Sequence, residues 1–163
     1  MVGTTVEFRY SHVILAGIVG GIIFAAFEMI AAAVLMGPGA ALTPLRMIAA
    51  IVLGPPVLDP RYSLVSAVLF GVTLHFVLSV VFAVIFAAFV FPMWGTGALT
   101  AAGIVFGSVL WLVTAYLVPP LAGWTWFADR SPLVEFVAHT FFYGCPLGWY
   151  LGRFSSRVPV PHA

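Results

Sequence analysis

Four ionisable residues sit where an apolar chain tolerates them least. His75 and His139 each stand near the middle of an apolar stretch, as does Glu28, and Glu135 lies four residues ahead of His139. A carboxylate near a bilayer centre costs a few kcal/mol unless something pairs with it. A neutral imidazole, needing one donor and one acceptor, is cheaper to bury. Two facing histidines, His75 and His139, suit axial ligation of a haem. The same pair with Glu28 suits a transition metal, and the trio also suits the wall of a proton or quinone site. The plainer chemistry is a buried His–Glu pair, or imidazoles hydrogen-bonded to Ser79, Thr114, Tyr143 or a backbone carbonyl. No CxxCH, HExxH, GxSxG or phosphate-loop pattern occurs, so nothing specifies a catalytic nucleophile. The single cysteine, Cys145, allows no intrachain disulfide and no Cys-based zinc site.

Positioning these groups falls to helices. Residues 13–36, 64–91, 99–118 and 133–152 each approach or exceed the ~20 apolar residues that cross a hydrocarbon core of ~30 Å. Gly37-Pro38-Gly39, Pro92 and Pro119-Pro120 are expected to end the first three, because proline lacks the N–H a continuing helix needs. Ser131-Pro132 opens the fourth as a cap followed by proline. Pro146 is expected to kink that fourth helix in mid-span. Between the first two, residues 44–53 form a capped helix too short to span, expected to lie at the interface or re-enter with Arg46 at headgroup level. At about 1.5 Å per residue, Glu28, His75 and His139 all fall roughly 4–5 Å from the midplane.

The first stretch, of about 24 residues, exceeds the roughly 7–15 of a signal-peptide core, so the first helix is expected to be retained. Tyr10, Trp94, Trp149 and Tyr150 fall toward one face and Tyr62, Tyr116, Trp124 and Trp126 toward the other, as an aromatic belt would. The chain is a single domain, residues 1–163, read as an all-α membrane bundle of four helices.

Composition agrees: 63% of the 163 residues are hydrophobic and 7% charged, with mean hydropathy +1.18, against roughly 25% charged in ordinary soluble domains. Six arginines are scattered and lysine is absent, which argues against a nucleic-acid partner. Arg9, Arg153 and Arg157 share the side of the termini, with Arg46, Arg61 and Arg130 opposite. Arg61 and Arg130 stand beside aspartates, and Arg153 follows its span directly. The reading that results puts both termini in the cytoplasm.

Small residues mark the helix faces. Gly17, Gly21, Ala25 and Glu28 align on the first helix; Gly71, His75, Ser79 and Ala83 on the second; Gly103, Gly107 and Thr114 on the third. On the fourth, Gly144, Gly148 and Gly152 lie opposite Glu135, His139, Tyr143 and Pro146, so both faces look made for protein contact. The segments Ala16-Gly17-Ile18-Val19-Gly20 and Ala102-Gly103-Ile104-Val105 suggest two hairpins in parallel repeat, each with a histidine in its second helix.

The chain from about Ala16 to Gly152 resembles a group of small uncharacterised bacterial inner-membrane proteins. The resemblance rests on His75-Phe76, Phe106-Gly107 with Trp111-Leu112, Pro120-Leu121-Ala122-Gly123, and His139 with Tyr143-Gly144 and Leu147-Gly148. It implies a four-helix bacterial membrane protein with no established activity, and Glu28 is not part of its pattern. With few residues outside the helices, the expected role is a non-catalytic accessory subunit or assembly factor, held in lipid beside other membrane subunits or itself. The alternatives are a haem or metal protein using His75 and His139, and a small oligomeric transporter or proton channel.

Overall fold

The computed structural model describes residues 4–7, 9–90, 93, 95–154 and 156–159. Among the described residues the regular elements are helices, apart from one two-stranded ribbon. Helix α1 spans Tyr10–Met36 and stops at Gly37, whose φ of 97° an L side chain disfavours, with Pro38 behind it. Helix α2 (Thr43–Leu53) starts on Thr43-Pro44 and stops at Gly54, ahead of Pro55-Pro56. Ser63 opens α3 (Leu64–Phe89), its hydroxyl accepting from the Ser66 amide at 3.3 Å. Pro92 and Trp94 lie outside the described residues.

Beyond Gly95 comes a third long helix, Thr96–Ala122. It is built from α4 (Thr96–Leu112), a π-helical segment Val113–Leu117 and α5 (Val118–Ala122). Pro119-Pro120 therefore does not end it, contrary to the sequence reading. Proline removes the hydrogen bond to the carbonyl four residues back and crowds it, and the wider π turn just ahead absorbs both effects. The fourth long helix, residues 132–154, repeats this solution: α6 (Pro132–Val137), a π segment Ala138–Gly144 and α7 (Cys145–Phe154), with Pro146 just beyond the bulge.

Three helices, Tyr10–Met36, Leu64–Phe89 and Thr96–Ala122, are long and apolar enough to cross a membrane. The fourth is less apolar because it carries Glu135, His139 and Arg153. Strand β1 (Thr4–Glu7) pairs antiparallel with β2 (Ser156–Pro159), Thr4 opposite Pro159. No sequence signal announced this ribbon.

The long helices pack in a row of neighbours. α3 lies on α1, α1 on the fourth helix, and the fourth on α4. A symmetric pair of hairpins would also bring the second helix against the third; there the two make little contact beyond Phe86 against Phe106, ring centres 5.2 Å apart. A core of Val13, Ala16, Phe86, Leu99, Leu147 and Leu151 fills the end of the bundle nearest the termini.

At the other end α2 lies against α3 over Ala49, Ala50, Val57 and Ala67. Arg46 turns to the chain's own backbone. Its guanidinium donates to the carbonyls of Val57 (2.8 Å) and Asp59 (3.2 Å), gathering the loop that follows α2. Trp126 likewise turns inward, its indole N–H donating to the Met47 carbonyl at 3.2 Å. Arg61 pairs at the surface with Asp59, and that bond holds the carboxyl below the usual carboxylate range.

Glycines sit wherever backbones approach. A Cβ on Gly17 would lie 2.9 Å from the Ser79 carbonyl oxygen, and one on Gly21 2.8 Å from Ser79 Oγ. In the second hairpin Gly103 faces Gly144, Gly107 the His139 carbonyl, Gly148 the Leu99 carbonyl and Gly152 Thr96, closer still.

Candidate functional site

Where the second and third long helices part, a cavity of about 290 Å³ opens. Leu74, Leu78 and Phe82 of α3 wall one side, and Leu110, Val113 and Thr114 the other. Phe24 and Glu28 of α1 and Glu135, His139 and Tyr143 of the fourth helix also line it, and Pro44, Ile48 and Ile51 of α2 close the end away from the termini. His75, His139 and Glu28 thus all line one space.

They do not converge on one point. The Phe24 ring packs against both imidazoles, its centre 5.7 Å from that of His75 and 4.8 Å from that of His139. His75 Nε2 donates to the Gly21 carbonyl at 2.9 Å, tying α3 to α1 at its glycine seam. His139 Nδ1 donates to the Glu135 carbonyl at 2.8 Å, which leaves Nε2 of a neutral ring as an acceptor facing Thr114 Oγ1 at 3.1 Å. Thr114 is also 2.8 Å from the Leu110 carbonyl, so one hydroxyl proton serves two acceptors.

Three of the four imidazole nitrogens are therefore engaged within the protein. A shared haem or metal would require breaking those bonds. Among the described residues no three His, Cys, Asp or Glu side chains, His75, His139 and Glu28 included, are grouped to hold a metal ion. The physical reason is that each imidazole has a nearer partner on an adjacent helix.

Glu28 finds a different partner. Arg130, in the loop ahead of α6, turns inward and its guanidinium bonds both Glu28 and Glu135. Its Nη1 also lies 3.7 Å from the Met47 sulfur. The sequence reading left Arg130 beside Asp129 at a membrane face; in the fold it is the central cation of a buried triad. Glu28 is only 3% exposed. Its Oε2 accepts from Arg130, while Oε1 is a buried acceptor without a partner among the described residues. Glu135 Oε2 lies 3.8 Å from His139 Nδ1.

Tyr143 completes the inner wall, its hydroxyl donating to the Ser79 carbonyl at 2.5 Å. The bond locks the fourth helix to α3 across the glycine face of α1, where the Tyr143 ring also meets Gly20.

A second cavity of about 480 Å³ lies outward, lined by Tyr116, Pro120, Gly123, Thr125, Ala128 and Pro132. It shares Thr114, Pro119, Trp124, Phe127, Arg130 and Glu135 with the first. Arg130 and its aromatic neighbours thus form the partition between an inner and an outer space.

Comparison with family models, curated proteins and solved structures finds no match in any of the three.

Proposed function

We propose that this is a non-catalytic integral membrane protein whose four long helices hold an apolar-bodied small molecule in the inner cavity, polar end toward the Glu28–Arg130–Glu135 triad. The observation that carries this reading is the cavity itself, apolar on most sides and ionised at one end. That is the makeup of a site that takes up an amphiphile. In this reading the fourth helix crosses the bilayer with the other three, its charges turned inward, and α2 lies at the membrane surface as a cover. The setting is a bacterial inner membrane with both termini cytoplasmic, so the triad sits toward the outer leaflet.

The role of accessory subunit or assembly factor drew on the two contact faces of the fourth helix. Both are occupied inside the chain, the glycine face by α4 and the Glu135–Tyr143 face by α1 and the cavity. Support therefore shifts from a partner protein to a ligand, with lipid around the outer faces, where Ile30, Val34, Leu69 and Val105 are exposed.

The test uses protein purified in mild detergent and tert-butylbenzene as a neutral apolar probe. Trp124 lines the cavity, so its fluorescence should respond saturably, and Leu78→Trp, which fills the space, should abolish that binding as read by calorimetry. A response that only rises linearly, as partition into the micelle would, or binding unchanged in the filled variant, removes the reading. An absorption spectrum and metal analysis of the same sample separate it from the haem and metal alternatives.

A further inference from the structure

The triad does not balance its charge. Two carboxylates, Glu28 and Glu135, share one guanidinium, Arg130. Five other titratable or charged groups bear on the count. His75 comes from α3, His139 and Tyr143 from the fourth helix, Arg46 from α2 and Asp129 from the loop. Arg46, which donates to loop carbonyls, and Asp129 do not line the cavity, and the Tyr143 hydroxyl donates to the Ser79 carbonyl. The third long helix offers Thr114, which carries no charge. With both carboxylates ionised and the imidazoles neutral, one negative charge is left over. Glu28 Oε1 is a buried acceptor with no hydrogen-bond partner among the described residues, and Glu28 itself lines the cavity.

Part of the cavity wall is aromatic. Phe24, Phe82, Trp124 and Phe127 line the same space, and aromatic faces attract a desolvated cation. A neutral apolar molecule would fill the walls and leave the surplus charge uncompensated. An anion would be repelled by it.

We infer that the inner cavity selects an organic cation with an apolar body, a substituted ammonium, whose charge pairs with Glu28 while its body lies among Phe24, Leu78, Phe82 and Trp124. This deepens the amphiphile-binding reading and rests on it. Cation and proton compete for the same negative charge, because protonating Glu28 or His139 supplies the missing positive unit.

Phenyltrimethylammonium and tert-butylbenzene have the same shape and differ in charge, so their comparison isolates the electrostatic part. In calorimetry on the detergent-solubilised protein the cation should bind at least about tenfold tighter than its neutral isostere, as a desolvated ion pair with aromatic contacts would give. Glu28→Gln leaves Arg130 balanced one to one by Glu135. It should erase the tenfold preference for phenyltrimethylammonium over tert-butylbenzene. In the wild-type protein, cation affinity should fall as the pH is lowered while the neutral probe stays level, which provides a test should Glu28→Gln fail to fold. Equal affinities for the two probes, a preference that survives Glu28→Gln, or parallel pH profiles overturns the assignment and leaves the cavity reading standing. Binding of neither probe overturns both.

Discussion

In the first hairpin, α1 and α3 are unbroken α-helices, and the His75 imidazole crosses to a backbone carbonyl, that of Gly21. In the second, both partners carry a π segment next to a proline, and His139 crosses to a side chain, that of Thr114, which itself stands in the opposing bulge. The shared plan is a glycine seam with a histidine bonded across it. The difference lies in regularity. A regular helix satisfies its own carbonyls and fixes where each side chain points; a bulge frees backbone groups and re-aims the side chains within it. The triad draws Arg130 and Glu135 from the second hairpin and Glu28 alone from the first. The regular hairpin thus serves as wall and anchor, while the bulged one supplies most of the ionised groups.

The largest effect that would test this division is at Arg130. Arg130→Ala leaves two buried carboxylates without their cation and should cost about 3–5 kcal/mol, read as a loss of thermal stability in detergent. Arg61→Ala removes an exposed pair with Asp59 and should change stability by no more than about 0.5 kcal/mol. If the two variants melt alike, the triad is not the centre of the second hairpin.

Next come the seams. Gly148→Ala drives a methyl group into the Leu99 backbone, whereas Gly17→Ala meets Ser79 and Val80 atoms at 2.9 Å. Overpacking costs typically about 1–3 kcal/mol, and the second hairpin should sit at the upper end of that range. Equal losses in denaturant titration would show the seams to be equally forgiving.

Smaller still is Thr114→Val, which removes the hydroxyl shared by His139 and Leu110. It should cost about 1 kcal/mol and perturb the His139 ring signals in NMR while leaving those of His75 unmoved. A shift at both rings would mean that the two histidines act as one unit and that the hairpins are less separate than their backbones suggest.

The long helices were legible because a run of apolar residues is a local property, and the glycine seams because small residues recur at three and four. His75, His139 and Glu28, set at one level by counting residues, all line one cavity. Pro146 was recognised as a disturbance. Pro119-Pro120 was misread as a stop, since sequence alone does not say whether a wider turn ahead of a proline will carry the helix through. Arg130 was illegible for a different reason. A loop side chain takes its direction from the elements around the loop, and the nearby Asp129 offered a plausible surface partner. Two buried carboxylates in a chain of six arginines were the available clue, because each such group needs a cation from somewhere. The β1–β2 ribbon joins segments about 150 residues apart, beyond any local pattern.

The two bulges have a consequence for how the chain tolerates insertion and deletion. A π turn spans five residues where an α turn spans four, so each bulge stores one surplus residue. Removing a single residue within Ala138–Gly144 should be absorbed by closing that turn to α geometry, with α6 and α7 keeping their registers on α1 and α4. The same deletion in the middle of α3 has no surplus to draw on and would rotate everything beyond it by about 100°. A deletion scan read by folded yield would thus find a tolerant window around His139 and an intolerant one around His75, and a chain shortened in that window would have lost its re-aimed imidazole while keeping its shape.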